Sequence, residues 1–199
     1  QEILEIGRRN GLNDSGGKMK YDQTIITPKG LTVHIRNGVA SDGSTVLENF
    51  NLTHAETDYL LSYPDENHFD AEQESRYLEK KETSPNEIEL IAFVDGKVAG
   101  TAGIEAIGPQ YKVAHRAEFG ISILKEYWGL GIGRSLMEAC IHCARNAGYA
   151  QLELDVVAEN TKAISLYQMA GFVEYGRNPK GFRSRNAGFQ ELISMRLEL

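Results

Sequence analysis

The chain has 199 residues with a formal net charge of −7, and 41% of its residues are hydrophobic. These values are typical of one globular domain of ordinary size. The acidic balance argues against nucleic acid and anionic membranes as partners, because phosphate binding requires clustered Lys and Arg. No apolar run approaches the ~18–20 residues that a membrane span requires. We therefore expect no membrane association and a cytoplasmic location.

The first 18 residues differ in character from the rest of the chain. They include the turn-forming run Asn10–Gly17, and they carry charges where a signal peptide would have an apolar core. We interpret residues 1–18 as a flexible N-terminal extension or a cloning remnant, with Met19 as a candidate start. Residues 19–199 are predicted to form a single domain.

The two cysteines, Cys140 and Cys143, lie three residues apart in a segment with helical periodicity. Side chains with this spacing share one face of a helix. A zinc or redox site would need further ligands or a strand-to-helix turn at the motif. We interpret both cysteines as buried packing residues and expect no metal.

Patterning in the first half of the chain predicts both strands and helices. The dipeptide Asp95-Gly96 separates two apolar runs and indicates a tight β-hairpin turn. In chain order, the predicted elements are a strand at Leu31–Arg36, one or two helical pieces within residues 44–62, a surface helix at Ala71–Lys81, and hairpin strands at Ile88–Val94 and Val98–Ile107.

The second half alternates strands with helices. Asn160 is placed as the N-cap of a helix that ends before Gly171. The predicted elements are a strand at about Ala114–Leu124, a helix within Gly129–Gly148, a strand at Gln151–Val157, a helix at Thr161–Ala170, and strands at Phe172–Tyr175 and Phe189–Leu199 joined by a basic loop, Arg177–Asn186. This order predicts an α/β (α+β) fold with a mixed, largely antiparallel sheet.

Three glycines, Gly129, Gly131 and Gly133, stand between a predicted strand and a predicted helix. Glycine permits a tight turn and a close approach of backbone N–H groups to a ligand, and a helix N-terminus attracts anions. A dinucleotide fingerprint would need a glycine at Arg134 or a small residue at Leu136, and the Gly-Lys-Ser/Thr run of a P-loop is missing. The loop therefore indicates an anion site of another kind.

The segment Ile121–Leu136 resembles motif A of the GNAT superfamily of N-acetyltransferases, a strand followed by Gln/Arg-x-x-Gly-x-Gly/Ala and a helix. Gly131 and Gly133 match its glycines, whereas Trp128 replaces the Gln or Arg. A second run, Asn160–Phe172, matches every named position of the superfamily pattern Asn-x-x-Ala-x-x-Leu-Tyr-x-x-x-Gly-Phe. The resemblance implies a GNAT-like central sheet flanked by helices on both faces, and acetyl-CoA as co-substrate.

The same resemblance implies where acetyl-CoA would bind. Backbone groups of the strand would hold the pantetheine arm, and the glycine loop would hold the pyrophosphate. The implied cofactor-binding residues are Ile121, Ser122, Ile123, Gly129, Leu130, Gly131, Ile132, Gly133, Arg134, Asn160 and Tyr167.

Acetyl transfer to an amine needs a neutral nucleophile, donors for the developing negative charge and a proton for the leaving thiolate. An amine with a pKa of ~10.4 is almost fully protonated at pH 7, so forming the neutral amine costs about 4.6 kcal/mol. Tyr167 is the candidate acid, as a tyrosine at this position often is in the family. Asp155 and Glu118 are candidate bases. Each lies on a strand where some members of the family have an acidic residue that acts as the base. His115 is a weaker candidate, and an ordered water could replace a base.

The acceptor is predicted only as a primary amine of a small molecule or a peptide. Two alternatives remain open: a protein N-terminal acetyltransferase with a wide acceptor channel, and a non-catalytic acyl-CoA-binding regulatory module. In similar proteins the region of Glu56, Asp58, Asp65, Glu66 and Asp70 shapes the acceptor groove, but we interpret these residues first as a solvated acidic loop. A homodimer is possible.

Overall fold

The computed structural model describes residues 17–199, so most of the predicted N-terminal extension, residues 1–16, lies outside the described part. The structure has eight strands and four helices of more than one turn within these residues. They are β1 (Asp22–Ile26), β2 (Thr32–Asn37), α1 (Gly43–Glu56), α2 (Ala71–Thr83), β3 (Ile88–Val94), β4 (Lys97–Ala106), β5 (Arg116–Ile123), α3 (Ile132–Asn146), β6 (Gln151–Val157), α4 (Thr161–Met169), β7 (Val173–Ser184) and β8 (Gly188–Glu198). Among residues 17–199, no helix is both long and apolar enough to cross a membrane.

The strands form one eight-stranded sheet in the order β1-β2-β3-β4-β5-β6-β8-β7. Every neighbouring pair is antiparallel except β5 and β6, which run parallel. These two strands pair only from Arg116 to Glu118 on β5, and they separate beyond that point. The predicted fold class is confirmed, and the separation leaves a gap in the middle of the sheet.

The helices cover both faces of this sheet. On one face, α3 and α4 pack over a large apolar core that includes Leu136, Cys140 and Cys143. On the other face, a smaller cluster joins Val46 of α1 and Leu78 of α2 to the sheet. Both cysteines are buried free thiols, as predicted, and burial raises the pKa of Cys143 to about 12. A thiol with this pKa stays protonated and unreactive at neutral pH.

The predicted basic loop at Arg177–Asn186 is wrong, because residues up to Ser184 belong to β7 and pair with β8. Pro179 and Gly181 are typical of a loop, since proline cannot donate to a strand ladder. β7, however, is the edge strand of the sheet, and two register shifts interrupt its pairing around Gly176 and Pro179. An edge with bulges tolerates these residues. Strand β1 was not predicted from the sequence.

Candidate active site

A cavity of about 630 Å³ opens where β5 and β6 separate. Its walls come from the end of β5, the loop that leads into α3, helix α4 with Asn160 before it, and the segment just after α1. Beyond Glu118 the side of β5 that faces β6 has no strand partner. Apart from the Ile123 carbonyl, which accepts from the Trp128 side chain, the backbone groups along this side from Gly120 to Ile123 are therefore free to bind an extended ligand.

The glycine loop forms the end of this cavity next to α3. Gly129 and Gly131 have φ values of 76° and 91°, in the left-handed region that glycine adopts without strain. A Cβ atom on Gly131 would lie 3.1 Å from the Cβ of Thr27. The backbone N–H groups from 129 to 134 donate no hydrogen bond to any acceptor in residues 17–199. A turn of free N–H groups at a helix N-terminus is an anion-binding arrangement.

Two cationic side chains stand beside this turn. Arg134 and Lys162 both line the cavity and are exposed. The guanidinium of Arg134 donates to Glu138 at 2.8 Å, whereas Lys162 has no ion pair within the described residues. The cations and the free N–H groups together favour a ligand that carries several negative charges.

Trp128, the departure from the family pattern, has a structural role at the loop. Its indole N–H donates to the backbone carbonyl of Ile123 at 2.8 Å. The ring therefore holds the loop against the end of β5, and Lys125 lies 6.0 Å above it. One lone pair of the Ile123 carbonyl is consequently occupied by the protein itself.

Tyr167 of α4 lines the cavity. The side chain is 7% exposed and packs between Phe119 and Phe172, with ring centroids 6.2 and 5.9 Å away. Burial raises the pKa of Tyr167 to about 12, and its hydroxyl has no hydrogen-bond partner within residues 17–199. The phenol is thus a rigidly held donor that remains protonated at neutral pH.

Most of the predicted cofactor-binding residues line this one cavity. The exceptions are Leu130 and Ile132, and Ile132 is fully buried in the core. Asn160 caps α4 as predicted, since its side-chain oxygen accepts from the N–H of Ala163 at 3.3 Å. Its amide N–H₂ group is left available at the cavity wall.

The two predicted bases are in different places. Glu118 lines a second cavity, and partial desolvation of its carboxylate, followed by the charge of Asp155, raises its pKa. Asp155 lines neither cavity and accepts a hydrogen bond from Ser194 at 2.6 Å. The structure thus brings Glu118 toward the cavities and leaves Asp155 on the open surface of the sheet.

The second cavity, of about 580 Å³, adjoins the first. Leu60, Ile121 and Ser122 line both cavities, so the two meet at the end of β5. The walls of the second cavity come from α1, α2 and the face of β3, β4 and β5 that these helices cover. A ligand in one cavity can therefore contact a ligand in the other.

The acidic residues between α1 and α2 are occupied in structural contacts. The Asp58 carboxylate accepts from Ser184 and from the Tyr63 hydroxyl, and Asp65 pairs with Arg185 at 2.8 Å. The carboxylate of Glu56 accepts a hydrogen bond from the backbone N–H of Lys125, and Asp70 caps the N-terminus of α2. These acids fasten the β7–β8 hairpin and the glycine loop to the segment after α1.

Sequence reasoning missed several residues of the two cavities. Lys162 could have been found, because it lies in the first turn of the helix that Asn160 caps. Tyr59 lines the first cavity from an irregular segment, and no local pattern marks it. Glu74 and Glu89 line the second cavity. The only signal for Glu89 was a charged residue inside the apolar run of β3.

The comparisons with known proteins all point to the same family. The family model described as the acetyltransferase (GNAT) family matches residues 52–172. The acetyltransferase of the GNAT family from Streptococcus pneumoniae has a TM-score of 0.80 and 31% identity, covering 84% of this chain and 99% of that one. The L-amino acid N-acetyltransferase AaaT of Escherichia coli (strain K12) is 28% identical over 120 residues, 60% of this chain and 73% of the relative.

N-acetyltransferase 8B of Homo sapiens is 30% identical over 89 residues, which are 44% of this chain and 39% of the human protein. The chain thus matches less than half of the length of that relative. The family model, by contrast, covers more than half of this chain and includes the first cavity from β5 to α4. The chain therefore belongs to the acetyltransferase (GNAT) family.

Proposed function

We propose that the protein is an acetyl-CoA-dependent N-acetyltransferase that acetylates the primary amine of a small molecule or a peptide. The observation that carries this proposal is the first cavity, which is lined both by a turn of free backbone N–H groups and by an unpaired phenol. The second cavity meets it at Ser122 and offers a place for the acceptor.

The residues of the first cavity fit acetyl-CoA in order along its length. The N–H groups from 129 to 134 receive the pyrophosphate, with Arg134 and Lys162 beside it. The free side of β5 receives the amide groups of the pantetheine arm, and the Asn160 amide faces it from α4. When bound, acetyl-CoA supplies the thioester that makes the acetyl group transferable.

Tyr167 stabilises the leaving sulfur by hydrogen bonding before it transfers a proton. A phenol with a pKa of about 12 is a weaker acid than an ordinary thiol, whose pKa is ~8.5, so complete proton transfer to the thiolate is uphill by about 3.5 units. A hydrogen bond to the developing negative charge has no such cost. The proton that the thiol finally carries can come through the phenol from the amine.

The amine loses its proton on the side of the second cavity. Glu118 remains a candidate base because it lines this cavity. Asp155 would need a movement of β6 to reach the same space, and its carboxylate is already engaged by Ser194.

We also propose a cytoplasmic location, which agrees with two unpaired thiols in the described part of the chain. A homodimer stays a proposal.

The test of the function is a thiol-release assay with acetyl-CoA and a panel of primary amines. Release of coenzyme A that depends on both the protein and the amine, with the N-acetylated product identified by mass, supports the enzyme. Binding of acetyl-CoA without release on any amine, peptide N-termini included, would favour the regulatory alternative instead.

Removal of the Lys162 charge is expected to weaken acetyl-CoA binding in a salt-dependent way. Lys162→Ala should raise the Kd about 3- to 10-fold at low ionic strength and much less at ~0.5 M salt, because exposed charges are screened. Calorimetric titration at the two salt concentrations measures this change. Lys180→Ala on β7, which removes an exposed charge outside the cavity, serves as the control. Equal effects of the two variants would show that Lys162 does not belong to the binding site.

A further inference from the structure

We propose that the second cavity selects a protonated primary amine on an apolar body and that Glu89 accepts the proton of this amine. The inference rests on the proposed acetyltransferase function and names the acceptor class for the same site. The acceptor is thus an alkylamine or arylalkylamine without a carboxylate next to its nitrogen. Four features of the cavity carry the inference.

The first feature is an excess of negative charge, of which one carboxylate is buried. Glu74 of α2 is 8% exposed, and neither a hydrogen bond nor an ion pair satisfies its carboxylate within the described residues; burial alone raises its pKa. Glu89, Glu105 and Glu118 line the same cavity. A buried carboxylate without a partner is costly, so a cationic ligand would be bound favourably.

The nearby cations do not neutralise this charge. The Lys81 ammonium is 2.8 Å from Glu105 and 3.1 Å from Glu87, so it is already shared between two carboxylates. Burial lowers the pKa of His54, which also lines the cavity, and this imidazole is neutral at pH 7. Among the described residues, no group of three or more His, Cys, Asp or Glu side chains is arranged to hold a metal ion.

The second feature is a set of apolar residues in the lining of the same cavity. Val46 and Phe50 of α1 form the inner part. Leu61 and Phe69 line the mouth, where they are 82% and 48% exposed. Neither Arg nor Lys is among the described residues that line the cavity. The carboxylate of an amino acid would find no cationic partner here, whereas an apolar body would be buried.

The third feature is a floor of two paired glycines. Gly103 of β4 and Gly120 of β5 lie opposite each other. The Glu89 carboxylate lies over Gly103, since a Cβ atom there would be 2.2 Å from Oε2 of Glu89. A Cβ on Gly120 would meet nothing within 4 Å. Glu89 therefore borders open space above Gly120, two residues before Ser122, where the two cavities meet.

The fourth feature is the environment of Glu89. Burial raises the pKa of Glu89 to about 7, opposed by the nearby Thr101 side chain and by the charge of Lys81, and the Tyr77 hydroxyl donates a long hydrogen bond of 3.5 Å to Oε2 of Glu89. The other titratable groups of this cavity are Glu74, Tyr77, Glu105, Glu118 and His54. A carboxylate with a pKa near 7 is a far better proton acceptor at neutral pH than an ordinary glutamate.

The proton balance of the transfer is complete with these groups. The ammonium gives one proton to Glu89, and the free nitrogen then forms a bond to the acetyl carbon while the carbon–sulfur bond breaks. The nitrogen loses a second proton as the amide forms, and the thiolate receives one by way of Tyr167. The net products are the N-acetylated amine, the free thiol and one proton that Glu89 releases to water.

The first test compares 2-phenylethylamine, phenylalanine and 2-aminoethanol as acceptors in the thiol-release assay. We expect kcat/KM for 2-phenylethylamine to be at least 30-fold above that for either other amine. Calorimetry with coenzyme A present should detect binding of 2-phenylethylamine and not of phenylalanine. Equal or higher activity with phenylalanine would overturn the inference while leaving the acetyltransferase intact; no release with any amine, peptides included, would instead count against the proposed function.

The second test uses isosteric variants of the carboxylates. Glu89→Gln should lower kcat/KM for 2-phenylethylamine about 10- to 100-fold and abolish the rise of activity with pH near pH 7. Glu74→Gln should mainly raise KM. The control Glu79→Gln, on an exposed position of α2, should change neither. Retention of the pH-dependent rise in Glu89→Gln would overturn the assignment of Glu89.

A stability measurement gives a readout that does not depend on turnover. The pKa of Glu89 is higher in the folded chain than in the unfolded chain, so its ionisation destabilises the fold as the pH rises from about 4.5 to about 7. The melting temperature of Glu89→Gln should therefore be about 2–4 °C above that of the parent chain at pH 8 and equal to it at pH 5. A gain of the same size at both pH values would contradict the ionised, buried carboxylate.

Discussion

Replacement of Tyr167 by phenylalanine is expected to lower kcat by about 100-fold or more and to change the Kd for acetyl-CoA by less than about 3-fold. A positioned proton donor contributes ~10²–10⁴ in rate, and this hydroxyl has no structural partner in the described residues that its loss would leave unsatisfied. The ring packs between Phe119 and Phe172 with or without the oxygen. Steady-state kinetics and calorimetric titration of the same preparation measure the two quantities.

The matched control for this variant is Tyr175→Phe. Tyr175 lies on β7, is 54% exposed and lines neither cavity. Its loss should leave both kcat and the Kd for acetyl-CoA unchanged. An equal loss of turnover and of acetyl-CoA affinity in Tyr167→Phe would mean that the tyrosine shapes the site and does not act as the acid.

Gly131→Ala is expected to weaken acetyl-CoA binding at least 10-fold and to lower the melting temperature. The residue has a φ of 91°, and a left-handed alanine costs about 1–2 kcal/mol. Its new Cβ would also lie 3.1 Å from Thr27, so the loop must shift. A shift of even a few tenths of an ångström misdirects the free N–H groups of the α3 turn, because their hydrogen bonds depend on direction. Calorimetry and thermal unfolding measure the two effects.

Gly148→Ala, just beyond the other end of α3, imposes the same backbone strain away from the proposed site and so distinguishes strain from an effect on ligand binding. Gly148 has a φ of 82°, and a Cβ there would meet nothing within 4 Å. The variant should lose stability for the same backbone reason and keep the parent affinity for acetyl-CoA. If both variants lost affinity equally, the glycine loop would not be the binding element.

Elements with strong local signals were predicted nearly to the residue. The hairpin around Asp95-Gly96 required two positive φ values, 49° and 77°, which this dipeptide adopts readily. The N-cap of α4 by Asn160 and the end of the helix before Gly171 are likewise local. β7 was not predictable in this way, because a proline is tolerated there only through the edge position and the bulges that tertiary pairing creates.

The same distinction applies to the two cavities. The first is built from β5, the glycine loop and α4, which follow one another closely along the chain, so a motif could indicate it. The acidic side of the second cavity brings together Glu74, Glu89, Glu105 and Glu118 from four separate elements. No local pattern relates these four positions, and only sheet register and helix packing put them in one space.

The most direct test of the proposed function is calorimetric titration of the folded chain with acetyl-CoA. We expect one site per chain, a Kd in the range of ~1–100 µM, and a marked loss of affinity in Gly131→Ala but not in Gly148→Ala. Absence of binding at ~1 mM acetyl-CoA, with a cooperative melting transition that shows the chain to be folded, would contradict the assignment of the first cavity and the acetyltransferase function with it.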